Sequence, residues 1–331
     1  MKKGLVFGKF MPLHSGHLAL IDFALQHCDQ LYIVVCYTVN EPIEGMIRKE
    51  WLNKSFLNNP EITLFSFEYN EKEFPDTSVS SRYASELWAK AFKSLVPDVN
   101  IVFTSEDYGD YLAEYMEIEH ILFDKARSAV PVSATAIRID PFAYWHYISD
   151  EAKPWFVKKV ALAGSESTGK SLLAEKLAKH FNTEFVPEMA REIIDTTNDC
   201  AFDDLYKIAD LHAKTILVKT STANKLLFAD TDLIITKSYS KFLFDKELIV
   251  KPWIEEANKF DLYLFMEPDC EYLQDGTRLS VKERNALSDH HKICYENAGV
   301  SVVSINGNWD ERFKKAINAI EQIFFNKKAA N

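Results

Sequence analysis

The sequence is poor in the features that mark disulfide-linked and membrane-spanning proteins. Its 331 residues include 5 cysteines, an odd number, and no two of them form a Cys-x-x-Cys pair. This usage predicts reduced thiols in a cytosolic protein. No apolar run is long enough to span a bilayer, and the run from Gly4 to Gly8 ends at Lys9, too early for a signal peptide. We therefore expect a soluble, cytoplasmic chain without a membrane partner.

Basic residues are also in the minority. Lys and Arg number 38 against 49 Asp and Glu, which gives a formal net charge of -11. Broad contact with DNA or anionic lipid needs clustered cations, so nucleic acid is not an expected partner. Any phosphate has to be bound locally. The length and the 47% hydrophobic content predict a globular protein of about two domains.

Short apolar runs alternate with helical patterns twice along the chain, which predicts an α/β protein with two parallel sheets. Expected strands lie at 5–7, 31–37, 62–67, 101–104 and 121–123, and again at 157–163, 185–186, 226–229, 262–266 and 301–305. The segment 141–154 has no strand pattern, so we expect domains at 1–150 and 154–331. In a last helix at 310–325, the recurrence of Phe313, Ile317, Ile320 and Phe324 predicts the face that packs on the sheet.

A ten-residue motif after the first expected strand predicts a nucleotide site. Gly8 ends the strand without a side chain, and Gly16 and His17 begin a helix whose N–H groups and dipole favour anions. His14 and His17 lie three residues apart, so both imidazoles can face the same phosphates and stabilise a leaving pyrophosphate. A metal pair is the alternative, but no further ligand stands close in the sequence.

Two more elements point to phosphate chemistry. Ser133-Ala134-Thr135-Ala136-Ile137-Arg138 follows the fifth expected strand, where Ser133 and Thr135 are placed to cap a helix and Arg138 to reach phosphate. The second half contains a Walker-type loop after an apolar strand, at a strand-to-helix junction. That loop reads Gly164-Ser165-Glu166-Ser167-Thr168-Gly169-Lys170-Ser171.

These motifs together resemble a known family. Gly8-x-Phe10-x-Pro12-x-His14-x-Gly16-His17 with Ser133-x-Thr135-x-Ile137-Arg138 resembles nucleotidyltransferases, particularly nicotinamide mononucleotide (NMN) adenylyltransferases. The Walker loop and the elements after it resemble a ribosylnicotinamide kinase. Their order over nearly the whole chain resembles the bifunctional nicotinamide-nucleotide adenylyltransferase/ribosylnicotinamide kinase family. Some members carry an N-terminal helix-turn-helix domain. Here the first strand begins near Met1, so we expect no such domain and no DNA-binding regulatory role.

The resemblance implies a Rossmann-like nucleotidyltransferase domain followed by a P-loop kinase domain. The kinase would convert nicotinamide riboside and ATP to NMN, and the transferase would join NMN to ATP, giving NAD and pyrophosphate. The attacking phosphate oxygen is largely ionised, with a second pKa of about 6, so adenylyl transfer needs no protein base. Lys9, His14, His17 and Arg138 are the expected catalytic residues beside a Mg²⁺ carried by ATP. The expected ATP-binding residues of this domain are Gly8, Phe10, Gly16, Ser133 and Thr135.

Four further residues of the first domain are candidates for ligand contact. Asp124 and Arg127, just after a strand end, are placed for ribose or phosphate contact. Arg48 and Arg82 are further candidates for phosphate.

In the kinase domain, the loop amides from Gly164 to Gly169 should cradle the β-phosphate and Lys170 should bridge the β- and γ-phosphates. Ser171 and Asp230, at the end of an apolar strand, should hold Mg²⁺, and Asp230 is also a substrate-binding candidate. The whole Walker loop counts as ATP-binding: Gly164, Ser165, Glu166, Ser167, Thr168, Gly169 and Ser171.

The residue that accepts the substrate's hydroxyl proton is less clearly marked. Glu188 could take this proton, with Arg191 near the substrate, or the two could form a surface ion pair. Arg278 and Arg284 fit a mobile ATP-binding lid or an ordinary solvated loop.

Two other functions stay open at this stage. A phosphopantetheine adenylyltransferase fused to a dephospho-coenzyme A kinase has the same domain order, although its Phe-Asp-Pro differs from Phe10-Met11-Pro12. A non-catalytic NAD-sensing regulator would bind without turnover. The sequence decides neither between nicotinamide and nicotinic acid forms nor whether the chain forms a homo-oligomer.

Overall fold

The computed structural model describes residues 1–75, 81–194, 200–270 and 280–325. The chain divides into two compact units, Met1–Trp155 and Phe156–Asn331. Each unit contains one parallel five-stranded sheet with helices between the strands, which confirms the predicted fold class. The division lies just after the segment 141–154, where the sequence indicates a boundary between domains 1–150 and 154–331.

The first unit is built around β1, the central strand of its sheet. Its strands are β1 (Lys3–Gly8), β2 (Gln30–Tyr37), β3 (Ile62–Glu68), β4 (Ile101–Thr104) and β5 (Glu119–Leu122). Its helices are α1 (Ser15–Leu25), α2 (Gly45–Ser55), α3 (Arg82–Leu95), α4 (Tyr108–Met116) and α5 (Ala134–Ile139), with α6 (Lys153–Phe156) at the division. The strand order is β3-β2-β1-β4-β5. The chain leaves β1 on one side and returns at β4 on the other, so the carboxyl ends of β1 and β4 flank a crevice where such sheets bind ligands.

The core of the first unit explains why these segments form strands and helices. Every residue of β4 is buried, as expected for a parallel strand covered on both faces. Trp88 and Phe92 of α3 pack with Leu5 of β1 and Val102 of β4 in one apolar cluster. Burial of each such side chain contributes about 1.5–3 kcal/mol, so this layer holds α3 on the sheet.

The second unit repeats the plan with another strand order. Its strands are β6 (Lys158–Ala163), β7 (Glu184–Val186), β8 (Leu226–Asp230), β9 (Leu262–Met266) and β10 (Val303–Ile305). Its helices are α7 (Lys170–His180), α8 (Phe202–Thr220), α9 (Leu233–Phe244), α10 (Pro252–Ala257), α11 (Val281–Asn297) and α12 (Trp309–Ile320). The order β10-β9-β6-β8-β7 again puts the strand before the phosphate loop in the centre. No helix within the described ranges is both long and apolar enough to cross a membrane.

The last helix departs from the prediction in the face that it buries. The helical period is present, but the buried residues of α12 are Arg312, Ala316 and Ile320, while Phe313 and Ile317 are only half-buried. A turn of π-helix at Glu321–Phe325 then follows. The pattern missed Arg312 because an arginine is buried only where it finds hydrogen-bond partners, and most of its partners, such as Thr168 and Glu267, are distant in sequence.

Candidate active sites

The first unit has a cleft of about 310 Å³ that includes the carboxyl ends of β1 and β4. It lies where the strand order predicts a ligand site. Its lining brings together most residues that the sequence singles out in this unit: Gly8, Lys9, Phe10, His14, Gly16, His17, Asp124, Arg127, Ser133 and Thr135.

The two histidines of the motif form a stacked pair at the start of α1. Their ring centroids lie 3.8 Å apart. His14 is the N-cap residue of α1, and its Nδ1 accepts a hydrogen bond of 3.1 Å from the amide of Gly16. That amide, expected to be free for an anion, is therefore already paired. Because Nδ1 of His14 accepts, the neutral ring carries its proton on Nε2, which can donate to a ligand.

Both imidazoles are neutral at pH 7. Burial lowers the pKa of His14 to about 4, and the charge of Arg127 adds to the effect. Burial, His14 and Arg127 lower the pKa of His17 well below its ordinary value, against a hydrogen bond with the backbone of Pro12. Nδ1 of His17 is buried and has no hydrogen-bond partner in the described part of the chain. The pair therefore offers neutral polar atoms in a site that disfavours cationic rings.

Arg138 supports the motif turn from behind. Its guanidinium donates to the carbonyl oxygen of Met11 and, at 3.0 Å, to the hydroxyl of Thr135. Ser133 caps α5 as expected, accepting a hydrogen bond of 3.1 Å from the amide of Ala136. Burial lowers the pKa of Arg138. In this conformation Arg138 connects the two motifs and is not a free cation for phosphate.

Lys9 lines the cleft, but carboxylates hold its ammonium group. Nζ lies 2.9 Å from Oε1 of Glu41 and 3.8 Å from Oε1 of Glu71. Burial opposes the charged form, but hydrogen bonds to Glu41 and Tyr69 outweigh it and raise the pKa of Lys9. A phosphate would therefore have to compete with Glu41 for this lysine.

Arg48 and Arg82 do not occupy the positions expected for phosphate ligands. Arg48 has no exposed side-chain surface; it pairs with Glu41 and donates to the Lys9 carbonyl at 2.6 Å. Arg82 forms a surface ion pair of 3.0 Å with Glu114. Arg48 thus positions the Lys9 backbone, and Arg82 lies on an exposed helix end.

Asp124 organises the loop after β5. Its carboxylate accepts hydrogen bonds from the amide and hydroxyl of Ser128, both at 2.8 Å, and from the amide of Ala129 at 3.0 Å. Burial opposes the charged form, but these hydrogen bonds outweigh it and lower the pKa of Asp124. Its oxygens already hold this loop, which carries Arg127 at the cleft. Arg127 lies 3.5 Å from a carboxylate oxygen of Glu106.

The Walker loop of the second unit has the backbone of a phosphate cradle. Gly164, Ser167 and Gly169 have positive φ angles of 132°, 57° and 84°. The positive φ angle favours glycine at 169, and a β-carbon there would lie 2.3 Å from the ring of Trp309 and displace it. Nζ of Lys170 donates to the carbonyl of Ser165 at 3.0 Å. The loop is therefore folded with its lysine bound to its own backbone.

Asp230 and Ser171 form a fitting place for a divalent cation bound to ATP. Asp230 is fully buried at the end of β8, and neither carboxylate oxygen has a hydrogen bond of normal geometry within the described residues. Burial raises the pKa of Asp230 to about 6, and the charge of Lys170 and the nearby Ser171 hydroxyl act in the opposite direction. Among the residues that the structure describes, no cluster of three or more His, Cys, Asp or Glu could hold a metal ion without other ligands. Mg²⁺ needs only one or two protein ligands when phosphates supply the rest.

A pocket of about 70 Å³ lies beside the Walker loop. Two carboxylates line it, Glu166 and Glu188, with the hydroxyl-bearing Thr231, Thr236 and Tyr239. The remaining lining is mainly aliphatic, with a cysteine: Ala190, Ile194, Cys200, Leu205, Ile208, Ile235 and Leu243. Among the described residues that line it, none is Lys or Arg. Its aliphatic and acidic lining suits an uncharged or cationic ring next to a phosphate site.

Glu188 and Arg191 make the ion pair that the sequence leaves as an alternative. Nε of Arg191 lies 3.1 Å from Oε2 of Glu188, and Arg191 also donates to the hydroxyl of Ser171 at 3.2 Å. Glu188 nevertheless lines the pocket, and its charge contributes to the raised pKa of Asp230. The pair therefore belongs to the site, and its role as proton acceptor stays a prediction.

The structure describes only one of the two arginines that the sequence suggests for a lid. Arg278 lies outside the described residues. Arg284 departs from the expected lid position: it is 4% exposed in the first turn of α11 and donates to the carbonyl of Pro268 at 3.0 Å. It is buried because α11 packs its guanidinium against the end of β9.

Sequence reasoning missed Arg312 entirely. This side chain is 1% exposed and donates to the carbonyls of Thr168 (3.0 Å), Glu267 (2.9 Å) and Gly307 (2.8 Å). It also pairs with the carboxylate of Asp269. One residue thus connects the Walker loop to the ends of β9 and β10. The sequence offered one indication of its burial: Arg312 has the helical spacing that places it on the same face as Ala316 and Ile320.

Comparison with known proteins matches both units. A family model described as an AAA domain matches residues 159–312. The trifunctional NAD biosynthesis/regulator protein NadR of Salmonella typhimurium is 30% identical over 97% of this chain and 83% of its own length. The nicotinamide-nucleotide adenylyltransferase of Thermococcus kodakarensis is 28% identical over 42% of this chain and 71% of its own. A crystal structure of NadR in complex with NR has the same fold, with a TM-score of 0.80 at 23% identity, covering 98% of this chain and 96% of that one.

Proposed function

The chain belongs to the NadR family of NAD biosynthesis/regulator proteins, and on that premise we propose that it performs two consecutive steps of NAD synthesis. It phosphorylates nicotinamide riboside to NMN with ATP, and it transfers the adenylyl group of a second ATP to NMN, giving NAD and pyrophosphate. One observation carries the proposal. Each unit has a strand–loop–helix junction at the carboxyl end of the central strand of its sheet, the geometry that suits phosphate binding.

Adenylyl transfer takes place in the cleft of the first unit. A phosphate oxygen of NMN attacks the α-phosphorus of ATP, and the bond to the pyrophosphate oxygen breaks. The Nε2–H group of the neutral His14 ring donates to the triphosphate, and the ring of His17 stacks on that of His14 in the same site. The negative charge of the triphosphate opposes the lowering of both pKa values, so nucleotide binding and protonation of the pair reinforce each other. Arg127 adds a fixed positive charge in the cleft.

Phosphoryl transfer takes place at the Walker loop of the second unit. The 5′-hydroxyl oxygen of the riboside attacks the γ-phosphorus, its proton passes to Glu188, and ADP leaves. Lys170 exchanges its bond to the Ser165 carbonyl for the phosphates. Ser171 and Asp230 are the residues that would hold the Mg²⁺ of Mg·ATP, and the ion would neutralise charge on the phosphates.

The acidic pocket beside the loop favours the nicotinamide form of the riboside. The pyridinium ring of a nicotinamide riboside is cationic, and the carboxylates of Glu166 and Glu188 line the pocket, although Arg191 pairs with Glu188. A nicotinic acid riboside adds a carboxylate, which the acidic lining of the pocket disfavours, mainly through Glu166, because Arg191 offsets part of the charge of Glu188. The pocket therefore binds the ring with the amide better than the ring with the acid.

The decisive experiment supplies purified protein with nicotinamide riboside and Mg·ATP and follows NMN, NAD, ADP and pyrophosphate by chromatography. We expect NMN to form first and NAD to follow. Phosphopantetheine, tested in place of NMN, should not be adenylylated. Formation of neither NMN nor NAD would refute the proposal.

Two single variants assign the steps to the units. His17→Asn should lower the turnover of adenylyl transfer by about 10²–10³, the usual effect of losing one electrostatic contact in a transition state, and leave the kinase rate unchanged. Lys170→Met should do the reverse. Each variant is the control for the other, and equal loss of both activities in either would contradict the assignment.

A further inference from the structure

A hydrogen-bond chain with a buried centre lies behind the adenylyl-transfer cleft, on residues that no sequence motif marks. It begins at the exposed carboxylate of Asp110 on α4, passes through the ring of His120 on β5, and ends at the hydroxyl of Thr104 at the end of β4. The distances are 2.7 Å from Asp110 Oδ1 to His120 Nδ1 and 2.8 Å from His120 Nε2 to Thr104 Oγ1.

The hydroxyl of Thr104 continues the chain into the cleft wall. It donates to the carbonyl of Glu106 at 2.8 Å. Thr104, Ser105, Glu106 and Tyr108 all line the cleft, and the carboxylate of Glu106 lies 3.5 Å from Arg127. His120 therefore connects α4 to the loop that forms the β4 side of the cleft.

The burial of the chain and its packing show that the arrangement is specific. Thr104 is 2% exposed, and the side chain of His120 is 7% exposed. A β-carbon at Gly109 would lie 2.2 Å from Nε2 of His120 and 2.6 Å from Oγ1 of Thr104. Glycine at the start of α4 thus makes room for this ring and no larger residue fits beside it.

Hydrogen-bond donors can be counted along the chain. The Thr104 hydroxyl lies within hydrogen-bond distance of both the Glu106 carbonyl and Nε2 of His120, so its one proton and its lone pairs serve these two neighbours. The carboxylate of Asp110 accepts from Nδ1. The two nitrogens of the rigid ring hold Asp110 on one side and Thr104 on the other, a spacing that the single amide group of Asn or Gln does not reproduce.

We propose that His120 is a positioning residue for adenylyl transfer, because through Thr104 it fixes the loop of residues 104–108 against which the nucleotide binds. The inference rests on the proposed function for its kinetic effect. Substrate binding depends on this loop, whereas the histidine pair lies on the β1 side of the cleft. Loss of His120 therefore raises KM more than it lowers kcat.

The test compares His120→Gln and Asp110→Asn with the matched control Glu114→Gln. Asp110 and Glu114 are both exposed carboxylates on α4, but Glu114 pairs with Arg82 and not with His120. We expect His120→Gln to raise the KM of adenylyl transfer by roughly three- to tenfold, the factor that one hydrogen bond is worth. Asp110→Asn keeps an acceptor and gives a smaller rise. Glu114→Gln and the kinase activity of all three variants should match the wild type.

Two readouts separate positioning from general damage. A smaller folded fraction lowers the apparent kcat and leaves KM unchanged, so a fall in kcat alone, or equal loss of both activities, overturns the proposal. Amide hydrogen exchange gives a measure without turnover. Amides 105–109 should exchange faster in His120→Gln and not in Glu114→Gln. If exchange at these amides is unchanged in His120→Gln, the positioning role is overturned, whether or not the wild type shows adenylyl transfer. If the wild type shows no adenylyl transfer, the proposed function is overturned, and the exchange result still decides the positioning role.

Discussion

Replacing Arg312 by methionine should destabilise the second unit and disable its Walker loop while sparing the first unit. The methionine keeps most of the apolar stem and removes the guanidinium. Three backbone carbonyls lose their donor, those of Thr168, Glu267 and Gly307, and Asp269 loses its partner.

The size of the effect follows from these contacts. Removing one partner of a buried charged network costs about 3–5 kcal/mol. Asp269 is 42% exposed, so the loss of its ion pair contributes little to the cost in stability, because water replaces the guanidinium there. The main cost comes from the three carbonyls, and we expect about 3–4 kcal/mol in the free energy of unfolding of the second unit. For a unit of this size that corresponds to a fall in Tm of about 6–16 °C.

Calorimetry of the whole chain, with both activities measured in parallel, tests the reasoning. The Tm of the second unit and the kinase rate should both fall, whereas the rate of adenylyl transfer should be unchanged. Lys315→Met is the matched control, because Lys315 lies on the same helix and also donates to a carbonyl, that of Asn306 at 3.0 Å, but at an exposed position. It should change the stability by less than about 0.5 kcal/mol. A loss below about 1 kcal/mol in Arg312→Met would refute the argument.

Three further predictions concern charge. Glu166→Gln should reduce the ratio of kcat/KM for nicotinamide riboside over nicotinic acid riboside, because the pocket loses a carboxylate; chromatographic rates with both ribosides check it, and an unchanged ratio would contradict it. Kinase activity should fall as the pH drops through about 6, because Asp230, with a pKa of about 6, then takes a proton and no longer binds a cation; a flat kinase profile between pH 7 and 5.5 would argue against this role. The first unit should lose stability as the pH falls from 6.5 to 4, since His14 has a pKa of about 4 when folded and 6.5 as its ordinary value, so the unfolded chain binds the proton first. About 2 kcal/mol of this loss is complete by pH 5, and unfolding at pH 7.5 and 5 measures it.

Much of the fold and the sites could be predicted because their signals are local. Apolar runs separated by helical patterns indicated both parallel sheets, and the glycines and histidines around β1 and α1 indicated one phosphate site. The Walker loop indicated the other. In each case strand, loop and helix are consecutive in the chain, so their geometry follows from propensity, caps and positive φ angles that the residues themselves allow.

The partners of the charged side chains could not be predicted in this way. Lys9 looked available for phosphate, but Glu41 holds it. Arg138 reaches the Met11 carbonyl, 127 residues away, and Arg312 reaches that of Thr168, 144 residues away. The sequence shows that these charged residues are present, but it does not show which carboxylate or carbonyl group lies beside each of them.

The sequence by itself therefore determined two nucleotide-binding α/β units and the order in which they occur. The tertiary structure alone decided which cations are free for ligands and which support the loops, and it alone brought His120, Asp110 and Thr104 into one chain. The physical reason is that a buried polar group must find a partner wherever the fold places one, and packing of distant strands and helices, not local sequence, sets that place.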